Sequence, residues 1–101
     1  MKARQLIEKE PGSFALEGNL TFNTVGDLLA ETEAIVSSSD NIRVGLAGVS
    51  HFDSAGMALL VHWLRNVKKA GKTIAFYDVP LRLSLMAKMS GLDRVLNISN
   101  S

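Results

Sequence analysis

The side chains with the clearest chemical potential are Asp53 and Ser54, which stand between an apolar strand pattern and an apolar helical pattern. This spacing places a carboxylate and a hydroxyl at a helix N-terminus, where unpaired backbone N–H groups and the helix dipole stabilise an anion. The helix would therefore tolerate a phosphate on Ser54, which would add charge and bulk where a partner could dock. Aspartate and serine are also preferred helix caps, so Ser54 could equally be an ordinary capping residue.

Residues that could support catalysis or bind a metal are few and scattered. His51 and His62 stand eleven positions apart, and no cysteine or carboxylate accompanies them at metal-ligand spacing. The glycines form no phosphate-binding loop, and Ser54 lacks the Gly-x-Ser-x-Gly pattern of hydrolases. The sequence therefore predicts a protein that is not an enzyme, with no catalytic residues, no metal and no cofactor.

Length and composition predict a single globular domain over residues 1–101. The apolar share of 47% suits an ordinary core, and eleven basic against ten acidic side chains leave a net charge of +1. That balance gives no electrostatic case for nucleic acid as a partner. The chain has no cysteine, begins without the apolar run of a secretion signal, and contains no stretch long enough to span a membrane. We expect a separate subunit located in the cytoplasm.

Periodicity indicates the elements that position the Asp53–Ser54 pair. Short apolar runs predict strands at residues 6–7, 14–16, 42–49, 73–77 and 95–98, and Pro11-Gly12 predicts a tight turn between the first two. Helical spacing predicts helices after Thr24, after Ser54 and after Pro80. Thr24 and Asp27 suggest a capping box on the first of these helices.

The predicted helices should each pack one apolar stripe on a sheet. For the helix after Ser54 the expected core residues are Met57, Leu60, Val61, Leu64 and Val67. For the helix after Pro80 they are Leu81, Leu85 and Met89. The alternation of strands and helices predicts an α/β fold with a mixed four- to five-stranded sheet: an antiparallel hairpin, then parallel strands. Val44 and Leu46 should be buried in a central strand.

The run DSAGMALL at residues 53–60, placed after the third strand, resembles the signature of STAS domains. That resemblance implies the STAS fold, which is shared by anti-sigma factor antagonists and by subunits of phospholipid-trafficking ABC complexes. In many STAS proteins the motif's serine or threonine is a phosphorylation or partner-contact position, and Ser54 matches it here.

Two departures from the antagonist pattern make the chain look like the STAS subunits of Mla-type phospholipid transporters. Thr21 stands where antagonists usually carry an acidic residue, and Ala55 stands where they often have a second hydroxyl. This resemblance implies an adaptor that binds the cytoplasmic ABC-transporter ATPase and, through it, associates with the membrane permease, without inserting into the membrane. Such a subunit would support the assembly or activity of the transporter and so maintain outer-membrane lipid asymmetry.

Two other readings of the resemblance stay open. The first is an anti-sigma factor antagonist that is switched by phosphorylation of Ser54. The second is a STAS module that binds a small ligand or nucleotide.

A helical wheel places Leu59 opposite the predicted core stripe and Trp63 at its flank. With His62 and Asn66 they would line a partly exposed face beside Ser54, and an apolar surface that holds a tryptophan is typical of protein interfaces. Alternatively, Trp63 folds down over the margin of the sheet. The expected partner-binding residues are Phe52, Asp53, Ser54, Ala55, Gly56, Leu59, His62 and Trp63.

Overall fold

A computed structural model describes residues 5–94, Leu96 and residues 98–99. Along these residues the chain forms β1 (Leu6–Glu10), β2 (Ser13–Leu20), α1 (Val25–Leu29), α2 (Thr32–Ser38), β3 (Asn41–Phe52), α3 (Ser54–Lys69), β4 (Thr73–Tyr77), α4 (Leu81–Met89) and β5 (Ile98–Ser99). Within the described ranges, none of the helices has the length and apolar character needed to cross a bilayer.

The strands form one mixed sheet in the order β1-β2-β3-β4-β5. β1 and β2 pair antiparallel, and their turn places Gly12 at a φ of 82° as the Pro-Gly pattern predicts. The pairs β2–β3, β3–β4 and β4–β5 are all parallel. The predicted mixed sheet with an N-terminal hairpin is thus confirmed. Val95 and Asn97, part of the predicted last strand, lie outside the described residues.

The core lies on one face of the sheet. In β3, Val44 and Leu46 are completely buried as predicted, whereas Arg43 and Ala47 on the opposite face are exposed. Arg43 lies over the ring of Tyr77, with its guanidinium carbon 4.4 Å from the ring centroid. The helices therefore cover one face of the central strand.

The single helix predicted after Thr24 is wrong, because the chain forms two short helices there. The backbone changes course at Ala30–Glu31, where the Glu31 N–H donates to the Leu28 carbonyl three residues back. The Thr32 hydroxyl donates to the Leu29 carbonyl at 2.7 Å, a local bond that competes with continued helix. The expected capping box is also absent, since the Thr24 hydroxyl instead accepts from the Thr21 N–H at 3.0 Å.

The predicted packing face of α4 is also wrong. Leu83 and Ala87 are buried, whereas Leu81, Leu85 and Met89 are 74%, 50% and 88% exposed. Both sets have helical spacing, because apolar residues surround most of this helix and periodicity alone cannot choose between two stripes. The stripe Leu81–Leu85–Met89 (the α4 stripe) is therefore an apolar surface.

Candidate functional site

Asp53, rather than Ser54, caps helix α3. Its backbone is extended, with φ −140° and ψ −172°, and its Oδ1 accepts a hydrogen bond from the Gly56 N–H at 3.1 Å. An extended residue whose side chain accepts from the third helical N–H has the geometry of an N-cap. Ser54 is the first helical residue and is exposed. The expectation that Ser54 itself caps the helix is corrected, and its hydroxyl is on the surface at the helix start.

The second carboxylate oxygen of Asp53 holds a distant loop in place. Asp53 Oδ2 accepts from the Phe22 N–H at 3.0 Å, and the Asp53 N–H donates to the Leu20 carbonyl at 3.2 Å. These bonds join the β2–α1 loop to the start of α3. The N–H of Phe22, followed by that of Gly56, lowers the pKa of Asp53 because both bonds favour the ionised carboxylate. We name the surface formed by residues 53–56 and Phe22 the Ser54 corner.

Leu59 and Trp63 do not line an exposed face, in contrast to the sequence-based expectation. Leu59 is 2% exposed and Trp63 is completely buried. The Trp63 Nε1–H donates to the Thr32 hydroxyl at 3.2 Å, which shows that α2 covers this flank of α3. Among the predicted interface residues, Gly56 is also buried, Phe52, Asp53 and Ala55 are half-buried, and Ser54 and His62 are exposed.

The apolar surface beside Ser54 comes instead from residues that were not among the expected partner-binding residues. Phe22 is 77% exposed and Leu29 is 43% exposed. Leu29 also belongs to a shallow depression of about 260 Å³, whose other lining residues are Val25, Ala55, Ala58, Leu59 and His62. Neither Phe22 nor Leu29 was an expected partner-binding residue. The loop that carries Phe22 is held by a hydrogen bond to Asp53, 31 positions away, so no local pattern indicates where it lies. The small side chains Ala55 and Ala58 leave the depression open to a partner.

The two histidines do not form a metal site. His51 Nδ1 lies 3.3 Å from Asn19 Oδ1, and His62 is paired with Asn66, whose Nδ2 donates to the His62 carbonyl at 2.8 Å. In the part of the chain that the structure describes, no group of three or more histidine, aspartate or glutamate side chains could hold a metal ion.

Comparison with known proteins assigns the family. The family model described as "Mlab, STAS domain" matches residues 4–97. Because this match covers nearly the whole chain, the protein belongs to the STAS domain family, as the DSAGMALL run predicted. STAS domains are typically non-catalytic regulatory proteins that act as protein-interaction modules, and no enzyme family is indicated. No curated protein matches the chain in sequence.

Two solved structures show the same fold. The chain is similar to the anti-sigma factor antagonist SpoIIAA in its unphosphorylated form, with a TM-score of 0.76, 17% identity, and coverage of 98% of this chain and 88% of that chain. It is also similar to the Bacillus cell fate determinant SpoIIAA in the phosphorylated form, with a TM-score of 0.73, 17% identity, and coverage of 98% and 91%. At this identity the likeness establishes the fold.

The Asp53 contacts predict a pH-dependent stability. The pKa of Asp53 is lowered from its ordinary value of 3.8, so its contribution is complete above the unfolded pKa and is lost as the pH falls through the folded value. The Asp53→Asn variant keeps a good capping residue but does not titrate at this position. Its free energy of unfolding should therefore fall less than that of the wild type between about pH 5 and pH 2. Urea titrations at several pH values measure the free energy of unfolding of both proteins. The same dependence on pH in the wild type and in Asp53→Asn would contradict the prediction.

Proposed function

We propose that this protein is the STAS adaptor subunit of an Mla-type phospholipid-trafficking ABC transporter. It binds the cytoplasmic ATPase through the Ser54 corner and the adjoining depression over Ala58, and it supports assembly or activity of the complex that maintains outer-membrane lipid asymmetry. The observation that carries the proposal is the exposed Ser54 hydroxyl beside two apolar features. One is the exposed Phe22 side chain, whose N–H is bonded to Asp53, and the other is the depression lined by Leu29, Ala55 and Ala58. The description "Mlab" of the matching family model supports the same role.

The geometry of the Ser54 corner suits protein docking. The Asp53 carboxylate bonds to both the Phe22 and Gly56 N–H groups, so the exposed Phe22 ring is presented on a loop that is fixed to α3. A pre-positioned aromatic side chain loses little conformational freedom on binding, and aromatic residues are common anchors at interfaces. The depression over Ala58 offers a neighbouring recess for an apolar side chain of the ATPase.

The position of Ser54 also favours a second candidate function, a phosphorylation switch of the anti-sigma factor antagonist type. An exposed hydroxyl at the start of the sixteen-residue helix α3 can carry a phosphate without harm to the helix. Added charge beside the Asp53 carboxylate would repel an acidic partner, and any partner that docks at the corner would have to meet the cost of desolvating the phosphate. The two candidates differ in their partner, an ABC ATPase in the first and an anti-sigma factor kinase in the second.

We expect Ala58→Asp to weaken ATPase binding by at least about 30-fold, equivalent to about 2 kcal/mol, because it places a charge in the apolar depression. Ser54→Glu should weaken binding comparably while Ser54→Ala has a smaller effect, since only the glutamate adds charge and bulk. Binding of each purified variant to the purified ATPase can be measured by titration calorimetry. Melting temperatures are recorded alongside to establish that every variant is folded.

Ala34→Asp is the matched control, because Ala34 is an exposed helical alanine of α2 outside the lining of the depression. It should bind the ATPase like the wild type. Wild-type affinity of the folded Ser54→Glu protein would remove the Ser54 corner from the interface, and wild-type affinity of the folded Ala58→Asp protein would remove the adjoining depression. Binding of the wild type to an anti-sigma factor kinase, with no affinity for the ATPase, would establish the second candidate instead.

A further inference from the structure

The exposed α4 stripe forms one wall of a second surface feature, separate from the depression beside Ser54. Leu81, Leu85 and Met89 recur at intervals of four residues along α4 and remain largely exposed. Large apolar side chains scattered singly on a surface need no explanation, but a contiguous stripe indicates that something covers it.

The α4 stripe faces a cleft whose floor comes from the carboxyl end of β3. The cleft has a volume of about 720 Å³, and its lining includes Val49 and Phe52 of β3 and Met86 of α4. Val49 is buried, whereas Phe52 and Met86 are half-buried. This volume lies in the range of about 300–1,000 Å³ that is typical of small-molecule sites, which are mostly apolar with a few polar groups. We name it the α4 cleft.

The charge around the α4 cleft selects the kind of molecule that fits it. Arg82 is the one arginine, lysine, aspartate or glutamate of the lining, which also includes His51, and every residue of this lining belongs to the described part of the chain. The other ionised residue of α4 is Lys88, also a cation. Pairing of two copies through a two-fold axis along α4 would bring these cations towards their own counterparts, which disfavours a second copy as the occupant.

We propose that the α4 cleft binds a free, single-chain anionic amphiphile: an unbranched alkyl chain with a carboxylate or similar anionic head. The alkyl chain lies along Leu81, Leu85 and Met89, and the head group pairs with Arg82 at the rim. The thioether side chains of Met86 and Met89 are flexible and adapt to a chain without fixed shape. This site does not depend on the proposed adaptor function, because its residues lie outside the depression beside Ser54.

The test uses dodecanoate, kept monomeric, as the probe and titration calorimetry as the measurement. The solution is held near pH 8, where the dodecanoate carboxylate is ionised. Wild-type protein should bind one dodecanoate, and dodecyltrimethylammonium, with the same chain and the opposite charge, should bind at least about tenfold more weakly. Equal affinity for the two amphiphiles would overturn the assigned role of Arg82 and with it the proposal.

Three variants locate the site. Leu85→Asp should abolish binding, because it places a carboxylate in the apolar wall, and Arg82→Gln should weaken binding by about tenfold or more. Lys88→Gln removes a cation from the same helix but outside the cleft lining, so it should bind dodecanoate like the wild type. All three side chains are exposed, so the variants should keep the wild-type melting temperature.

A parallel sedimentation assay with phosphatidylglycerol vesicles distinguishes a free amphiphile from a membrane surface. Vesicle binding that depends on Leu85, without binding of monomeric dodecanoate, would make the α4 stripe a membrane-docking face and overturn the proposal. Binding of neither probe would also overturn it. Dodecanoate binding that is equally strong in the folded Leu85→Asp variant would place the amphiphile elsewhere on the protein.

Discussion

Replacing Trp63 by alanine should lower the free energy of unfolding by about 3–5 kcal/mol. The indole is completely buried in α3, and its Nε1–H donates to the Thr32 hydroxyl of α2 at 3.2 Å. The variant therefore loses apolar burial, leaves a large cavity and breaks the bond that joins the two helices. Because small domains have a total stability of about 5–15 kcal/mol, the variant should be near its unfolding threshold. Because Trp63 is the only tryptophan, the alanine variant has no tryptophan fluorescence, and its unfolding in urea should be followed by far-UV circular dichroism.

Trp63→Phe is the informative control for this prediction. It keeps an aromatic ring in the core and removes the N–H donor. Its free energy of unfolding should therefore lie between those of the wild type and Trp63→Ala. The Thr32 hydroxyl would still donate to the Leu29 carbonyl, which limits the cost of the lost partner. A Trp63→Ala protein with wild-type stability and weakened ATPase binding would instead place Trp63 on the docking surface, as its flanking position on the helical wheel suggested.

The sequence predicted the sheet well because the side chains of a strand alternate between two faces, so only two assignments of the buried face are possible. Val44 and Leu46 share one face of β3, and the opposite face carries the charged Arg43, so the buried side is unambiguous. The Pro11–Gly12 turn is equally local, since two adjacent residues define the backbone geometry. Features that depend on a few neighbouring residues were therefore predictable.

The buried arc of α3 was only partly predictable. Met57, Leu60, Leu64 and Val67 are buried as their spacing indicated, and Val61 is half-buried. Leu59 and Trp63 were assigned to an exposed face because the wheel considered packing on the sheet alone. The division of the preceding segment into α1 and α2 brings Thr32 against Trp63, and this second packing surface widens the buried arc. Helix-on-helix packing of this kind leaves no local pattern in α3.

The position of the candidate site could be predicted from the sequence, but the hydrogen bonds that hold the site together could not. The DSAGMALL run located Asp53 and Ser54 at a helix start, yet which of them caps the helix depends on the extended backbone of Asp53. The bond from the Phe22 N–H to Asp53 spans 31 positions and has no sequence signal of its own. Phe22 lies in a loop outside any amphipathic stripe, so no periodicity marks it. Leu29 has the helical spacing of the apolar stripe after Thr24, which assigns it to the core, yet it is 43% exposed.

Gly56→Ala should lower the free energy of unfolding by about 3 kcal/mol or more, towards the upper end of overpacking effects. Gly56 is buried where the first turn of α3 crosses the end of β2. A Cβ atom there would overlap the Leu20 carbonyl oxygen and lie 2.8 Å from the Leu20 carbonyl carbon and 2.7 Å from its Cγ. Backbone atoms cannot rotate away, so α3 must shift. That shift would also strain the bond from the Asp53 N–H to the Leu20 carbonyl.

Gly26→Ala provides the matched control, because Gly26 is an exposed helical glycine of α1 whose added Cβ would meet nothing within 4 Å. Alanine is the better helix former there, so the control should be unchanged or more stable by about 0.5–1 kcal/mol. Comparing the two variants by urea denaturation separates the clash from the general effect of replacing glycine. Equal stability of the two variants would mean that α3 does not approach Leu20 this closely, and the Asp53–Phe22 connection that depends on the approach would lose its support.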